Sequence, residues 1–486
     1  MLEFQNSYLT LGSQFYQKVV PAQPDKPTTL LFNIKLAQEL NFPNALISDK
    51  SAVSKLFSGD LSGQQITPIA LAYAGHQFGH FNPQLGDGRA HLLGEIIDQH
   101  NKVQEIQLKG SGQTPFSRQG DGKCALGPAV REYVMSEAMF ALGVPTSRCL
   151  SVVRTNEIVF REQALPGAVV SRIASSHIRV GSFQYFAARN DFDSVKTLAN
   201  FAIERHYSHI DISNKDYLLE FLAAVIDKQI ELVVHWLRVG FIHGVMNTDN
   251  TAISGETIDY GPCAMMADYH PGTVFSSIDQ NGRYAYGNQP AICQWNIARF
   301  AETLLPLIDA DSEQAVAKVK PIIMAFNDKF NGANNAMMVN KIGLLDVNKT
   351  TLQLVEQLLN IMQEKQLDYT ATFVQLEQSL SGQQSAQAVP QVLQTWLVSW
   401  QQQIKDVQQA VAMMRKTNPL VIPRNHHVEA IISQSYDNAL KQVDDSAHID
   451  EFLTVMSSPY QQQQDTGKYQ DLPADGDRHY RTFCGT

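Results

Sequence analysis

The chain has 486 residues, 44% hydrophobic and 18% charged, an ordinary globular composition with room for a large core and one to three domains. Lys and Arg number 38 against 48 Asp and Glu, and the net charge of -10 argues against a general nucleic-acid or anionic-membrane binder. No apolar run reaches membrane-spanning length, the start Met1-Leu-Glu-Phe-Gln-Asn has no signal or transit character, and the five irregularly spaced cysteines match neither a zinc motif nor a disulfide framework. A cytoplasmic protein with no nucleic-acid or membrane partner is therefore expected.

In chain order, residues 1–60 are mixed, with helical periodicity near 33–41 and no visible chemistry. Gln84-Leu-Gly-Asp-Gly-Arg89 then leads into two strand-like runs, 90–97 and 103–108, and Gly86-Asp-Gly88 reads as a tight hairpin turn. The second run ends on Lys109, and a polar, Gly-rich loop covers 113–126. Residues 127–142 form an amphipathic helix, with Val130, Val134, Ala138 and Leu142 on one stripe and Glu132 and Glu137 also on it. Residues 148–185 read as further strands. From about 190 the pattern is helical: 216–239, then 291–308, 312–333, 350–364 and 390–415, with a polar break at Ser381-Gly-Gln-Gln-Ser-Ala-Gln. The tail after Ser457 is rich in Gln, Asp and Gly and is expected to lie extended on the surface. Strands first and helices after predict an α+β protein of two lobes.

The chemistry concentrates in His243-Gly-Val-Met-Asn-Thr-Asp-Asn250 and Ile258-Asp-Tyr-Gly-Pro262. Protein kinases place an Asn seven residues after the His of one loop and an Asp-Phe-Gly soon after; here Asn250 and Asp259-Tyr-Gly occupy those places. Both supply hard oxygen ligands suited to Mg²⁺ or Mn²⁺. The position of the kinase base, two after the His, is Val245, which cannot accept a proton. Upstream stand a glycine turn (Gly86, Gly88) with Arg89, a strand-end Lys109, a helix carboxylate that could pair with it (Glu132 or Glu137), and Arg172 and Arg179. Each alone has an ordinary explanation: a hairpin, a solvated strand end, an exposed helix face, surface ion pairs. Together, in this order, they point to nucleotide binding. Asp249 is the nearest carboxylate left. Either it is a base for a differently placed phosphate, or the protein only binds nucleotide. With the nucleotide reversed, the α-phosphorus would face it, AMP would be transferred and pyrophosphate would leave.

These residues resemble the selenoprotein O family, pseudokinases that act as protein adenylyltransferases. The resemblance rests on Tyr73-Ala-Gly-His-Gln-Phe-Gly, Gln84-Leu-Gly-Asp-Gly-Arg, Leu108-Lys-Gly-Ser-Gly-Gln-Thr-Pro-Phe-Ser-Arg118, Gly120-Asp-Gly122, Arg131-Glu132 with Ser136-Glu-Ala-Met139, Gly244-Val-Met-Asn-Thr-Asp-Asn250, Ile258-Asp-Tyr-Gly-Pro262 and Asn288-Gln-Pro290. It implies a kinase-like two-lobed fold, a strand-rich N-lobe over 1–185 and a helical C-lobe over 186–486, with ATP flipped in the cleft. It further implies that Gly86, Gly88 and Arg89 contact the nucleotide, that Lys109 holds phosphates and pairs with Glu132, and that Asp121 and Gly122 approach the far end of the nucleotide. Arg172 and Arg179 would receive phosphates, Asp249 would accept the proton, and Asn250 and Asp259 would bind the metal. The implied reaction is transfer of AMP from ATP to Ser, Thr or Tyr hydroxyls of proteins; some members are described as using UTP with manganese. Family members carry selenocysteine or cysteine near the C-terminus, here Cys484, and a reversible pairing with Cys263 is the sharper reading of that tail thiol. Three other readings compete with this enzyme: a non-catalytic nucleotide-binding pseudokinase, a small-molecule kinase, and a redox protein built around Cys484.

Overall fold

The computed structural model describes residues 4–383 and 389–483. Strands β1 (Tyr16–Lys18) and β2 (Thr28–Phe32) precede three short helices, α1 (Ile34–Glu39), α2 (Asn44–Ser48) and α3 (Lys50–Ser58). Strands β3 (Ile69–Leu71), β4 (Gly75–Gln77), β5 (His80–Asn82), β6 (Ala90–Ile97), β7 (Val103–Lys109) and β8 (Cys124–Ala125) lead into helix α4 (Leu126–Ala141). The long strands β9 (Arg148–Phe160) and β10 (Ala164–Ala174) follow. An eight-stranded sheet runs in the order β1-β3-β6-β7-β10-β9-β2, with β8 added beside β10, and every pairing is antiparallel. The fold is thus mixed α and β, with an antiparallel sheet and many helices.

The sheet is covered on both faces, and the period of two along its strands decides what each face carries. Ile106 and Leu108 of β7, with Val169 and Ile173 of β10, pack against Leu36, Leu56 and Phe57 from α1 and α3. The alternate residues, Glu105, Gln107 and Lys109 on β7 and Arg172 on β10, point to the opposite face, where α4 lies. There Val130, Val134 and Met139 of α4 join Val152 and Val170 in the main core. Of the first sixty residues, silent as chemistry, α1–α3 therefore cap the back of the sheet, while β1 and β2 form its two edges.

Helices dominate the rest: α5 (Val180–Ala187), α6 (Phe192–His206), α7 (Tyr217–Val239), α8 (Gln289–Ile308), α9 (Ser312–Lys341), α10 (Lys349–Lys365), α11 (Tyr369–Leu380), α12 (Gln394–Gln401), α13 (Val407–Thr417), α14 (Asn425–Leu440) and α15 (Ala447–Met456). Between α7 and α8 a short ladder joins β11 (Phe241–Ile242) to β12 (Ala264–Met265). Helix α7 ends on Gly240 in the left-handed region (φ +77°), which turns the chain into β11 and on to His243. Among the described residues no helix is long and apolar enough to cross a membrane.

Several expectations are corrected. Gly86-Asp-Gly88 is not a hairpin turn, because the flanking strands do not pair: β5 pairs with β4, and β6 with β3 and β7. Instead the amides of Leu85 and Gly86 donate to Tyr73 O and that of Asp87 to Leu71 O, so the segment runs alongside the end of β3. Residues 180–185, read as strand, belong to α5, whose first turn is held by Arg179 N donating to Ser182 Oγ at 3.2 Å and Ser182 N donating to Arg179 O at 3.0 Å. Helix α9 runs past 333 to Lys341, since Met337, Met338 and Val339 are buried and packing overrides the polar run around Gly332. The expected helix 390–415 is broken between α12 and α13, where Asp406 caps a new start by accepting from Gln409 N at 3.0 Å. The tail after Ser457 buries Thr466, Tyr469, Asp477 and Thr482 rather than lying loose. Of the polar break 381–387, residues 384–387 lie outside the described residues.

Candidate active site

Sheet register builds the first half of the site. Val170 lies opposite Lys109 and Arg172 opposite Gln107, so two long cations rise side by side from adjacent strands. They meet Glu132, which sits in the second turn of α4 and faces the sheet. Lys109 Nζ donates to Glu132 Oε2 at 2.7 Å, and Arg172 Nε donates to Glu132 Oε1 at 2.7 Å. Both cations also reach Asp259: Lys109 directly, and Arg172 Nη2 at 3.4 Å. Two cations and two carboxylates alternate, so the cluster is internally neutral and fully hydrogen-bonded, the condition under which charges can be buried. Burial would raise both carboxyls. The cations overcome it and hold Glu132 below its ordinary value and Asp259 well below the carboxylate range, with Arg89 adding to the effect on Asp259. The alternative partner, Glu137, is committed elsewhere: it binds Arg148 at 2.6 and 2.8 Å and caps Cys149 N at 3.2 Å.

The second half comes from the loop after α7. His243 is buried, and its Nε2 lies 3.0 Å from Ile258 O, which ties this loop to the one carrying Asp259. Asp259 itself takes a left-handed backbone (φ +68°), a conformation that non-glycine residues seldom adopt. Residues 248–250 make a single 3₁₀ turn, and Asn250 Nδ2 donates to Val245 O at 3.1 Å, so the amide oxygen is the end left to meet a metal. Segment 178–180 pairs with 251–253, which sets Arg179 beside this turn. Arg179 Nη1 donates to Asp249 O at 3.2 Å, its Nη2 lies 3.7 Å from Asp87 Oδ1, and its guanidinium stacks 4.4 Å from the Tyr73 ring.

Asp249 has the environment of a proton acceptor. One oxygen, Oδ2, accepts from Gln77 Nε2 at 3.2 Å, while Oδ1 is buried with no hydrogen-bond partner. Burial pushes its pKa up to about 6, with Arg179 and Gln77 pulling the other way. A carboxylate with one occluded, unpartnered oxygen is costly, and a substrate proton would satisfy it. The β4–β5 hairpin lies over this turn. Its Gly75 leaves no room for a side chain, because a Cβ there would stand 2.8 Å from Asp249 Oδ1.

These groups line one cleft of about 730 Å³. Gly86, Gly88, Arg89, Lys109, Asp121, Gly122, Arg172, Arg179, Asp249, Asn250 and Asp259, drawn from both parts of the chain, all contribute to its wall. Glu132 stands behind Lys109 rather than on the surface of the cleft. Gly86 needs its positive φ (+71°), and any Cβ there would run into the Phe116 ring. Thr114 Oγ1 donates to Asp87 O at 2.6 Å and Ser117 Oγ bonds Gly88 O, so the 113–122 loop holds the glycine segment in place. Asp121 lies at the rim, paired with Arg161 at 2.8 and 3.1 Å. Cys263 is buried beneath the site, and burial pushes its thiol up to about 12. Cys484 lies outside the described residues. The described tail ends close by, where Thr482 Oγ1 donates to Pro262 O at 2.6 Å.

Sequence reasoning missed Asp87, Tyr73, Gln77 and Asn247. Asp87 accepts from Leu71 N at 3.1 Å and Gln107 Nε2 at 3.0 Å, and so anchors the glycine segment to the sheet. Asn247 Oδ1 accepts from Tyr284 OH at 2.7 Å and Phe78 N at 3.1 Å, fixing the hairpin to the 3₁₀ turn. Asp87 carried a signal, a buried-type position between two glycines; Gln77 and Asn247 stood inside quoted motifs without a visible role, since Asp249 and Phe78, which they respectively bond, lie some 170 residues away.

Residues 1–457 match the family described as protein adenylyltransferase SelO. A protein nucleotidyltransferase YdiU from Pseudoalteromonas translucida is 51% identical over 482 residues, covering 99% of each chain. Proteins of the same name from Teredinibacter turnerae and Rhizobium etli are each 49% identical, over 490 and 495 residues, covering 100% and 99% of this chain and 100% and 97% of theirs. With the family match spanning nearly the whole sequence and half the residues shared with these relatives, the chain belongs to the SelO family.

Proposed function

We propose that this protein transfers AMP from ATP to Ser, Thr or Tyr hydroxyls of proteins, with ATP flipped relative to a kinase. The cleft would lie between a kinase-like strand-rich lobe, 1–185, and a helical lobe, 186–486. The observation that carries the reading is Asp249: its pKa is raised to about 6, and it lines a cleft otherwise rich in cations. A carboxylate of that basicity is ionised at neutral pH and still able to take a proton. Val245, at the position of a kinase base, cannot.

The substrate hydroxyl attacks the α-phosphorus, its proton passes to the Asp249 carboxylate, and the bond to the bridging oxygen breaks so that pyrophosphate leaves. Lys109 and Arg89 meet negative charge from the sheet side and Arg179 from the helical side. Arg172 acts mainly by holding Glu132 and Asp259, since its side chain is only 3% exposed. Gly86 and Gly88 let the backbone approach the nucleotide, and Asp121 and Gly122 border its far end. Asn250 and Asp259 fit Mg²⁺ or Mn²⁺: the donors are oxygens, and Asn250 commits its Nδ2 to Val245 O, which leaves its amide oxygen for an ion. Bound there, the ion would neutralise phosphate charge.

Intact mass after incubation with ATP and Mg²⁺, with a protein hydroxyl acceptor, tests this. The expected increment is AMP, label from α-labelled but not γ-labelled ATP transfers, and both chelation and Asp259→Ala abolish it. A phosphate increment would make the protein a kinase instead. The relatives' broader name, protein nucleotidyltransferase, leaves the base open, so UTP with Mn²⁺ belongs in the same assay. Cys263 and Cys484 are proposed as a redox pair reporting on this cleft. Cys484→Ser should remove any dependence of transfer on reductant, and a wild type indifferent to reductant would refute the pairing.

A further inference from the structure

A second cluster of ligand-type side chains stands away from the nucleotide cleft. His426 and His427 lie in the first turn of α14, their ring centroids 4.1 Å apart, and Asp471 approaches them from the tail. His427 Nε2 lies 2.8 Å from Asp471 Oδ1, and His426 Nε2 lies 3.7 Å from Asp471 Oδ2. One donor atom from each residue falls within 4.8 Å of the other two. His426 is the unusual member: neither ring nitrogen has a hydrogen bond, and both are shielded from solvent, although its side chain is 31% exposed. A surface ion pair between His427 and Asp471 would explain those two residues and leave His426 unsatisfied, at a cost.

We propose that His426, His427 and Asp471 bind one Zn²⁺ ion that clamps the C-terminal tail to α14. Ligand atoms of a tetrahedral zinc, each ~2.0–2.1 Å from the ion, lie roughly 3.3 Å apart. The ligand atoms lie within 4.8 Å of one another, and the Asp471 side chain, 60% exposed, is free to rotate so that one oxygen comes between the two imidazoles. Two imidazoles and one carboxylate suit zinc and its neighbours rather than Mg²⁺, and water fills the fourth position. The adjacent cation, Arg424, does not repel the ion strongly, because its guanidinium is already paired with Asp368 at 2.8 and 3.1 Å. The consequence is mechanical. Beyond Asp471 the tail is held by Asp477 on Asn425 (2.7 Å), Tyr480 on Glu429 (2.6 Å) and Thr482 on Pro262 (2.6 Å), so the ion would fasten the near end of a strap whose far end touches the loop after Asp259.

Calorimetric titration of the chelator-stripped full chain with Zn²⁺, and separately with Mg²⁺, tests the site. A zinc equivalent that persists in Asp259→Asn is expected, with affinity at least tenfold lower in His427→Ala and in Asp471→Asn. Zinc should also slow tryptic cleavage after Arg478 in the wild type and not in Asp471→Asn. That variant alters an exposed side chain and keeps the test valid even where His427→Ala folds poorly. Zinc binding that survives both substitutions, or that is lost with Asp259→Asn alone, overturns the proposal.

Discussion

Asp249 shows how one side chain can be set for chemistry at the expense of stability. Folding raises its carboxyl from 3.8 to about 6, chiefly through burial. The folded state therefore favours the neutral form: this contribution is stabilising below the unfolded value and is lost as pH rises through about 6. At pH 7 the ionised group costs the fold on the order of 3 kcal/mol. Asp249→Asn should then do two opposite things. Transfer should fall by about 10²–10⁴, while the melting temperature rises by about 2 °C, read by kinetics and calorimetry on the same sample. The acid limb of kcat/KM should likewise fall as pH drops through about 6, and a flat profile from pH 5 to 8 would remove Asp249 as the base. The sequence carried this residue clearly, because Val245 left few carboxylates to choose from. Its raised pKa was not legible, since burial is a tertiary property. The same holds for Lys109: Glu132 and Glu137 were equivalent on a helix until packing gave Glu137 to Arg148.

Two elements position the reacting groups, and they differ in how visible they were. Strand β7 announced itself by alternation, and its register with β10 follows from the apolar residues it must bury on the α1–α3 side. Helix α4 and the long α7 were equally plain, each with an unbroken apolar stripe. The β4–β5 hairpin was not, because its strands are three residues each and too short to show a period. Yet it delivers Gln77 to Asp249 Oδ2, and that hydrogen bond favours the ionised form. Gln77→Ala should move the acid limb of the pH–rate profile to higher pH and lower kcat at pH 7, with nucleotide affinity little changed. A loss confined to KM would assign Gln77 to binding instead. The start of helix α5 was misread by running the strand pattern of 148–174 on to 185; the bond from Arg179 N to Ser182 Oγ that holds its first turn depends on backbone geometry.

Across the whole molecule, the C-terminal tail works as a fastening. It lies against α14, α14 packs on α4, and α4 carries Glu132. Arg131, beside Glu132, is bound by Glu429 of α14 and by Tyr480 of the tail at 3.2 Å. Ending the chain after Tyr469 removes the Asp477, Tyr480 and Thr482 bonds, so stability should fall by about 3 kcal/mol at about 1 kcal/mol per bond. The denaturant midpoint measures this. The order of strands then helices foreshadowed the general layout, but a Gln- and Asp-rich tail gives no apolar signal of docking, because it docks mainly through polar groups. The seat of Thr482 on Pro262 has a consequence in time. These residues are 220 positions apart. A growing chain emerges from the ribosome amino end first, so every residue lining the cleft is made long before the tail exists to hold the loop that follows Asp259. A nascent or prematurely stopped chain carries all the chemical groups of the site without this support, which arrives only after Thr482 has been made.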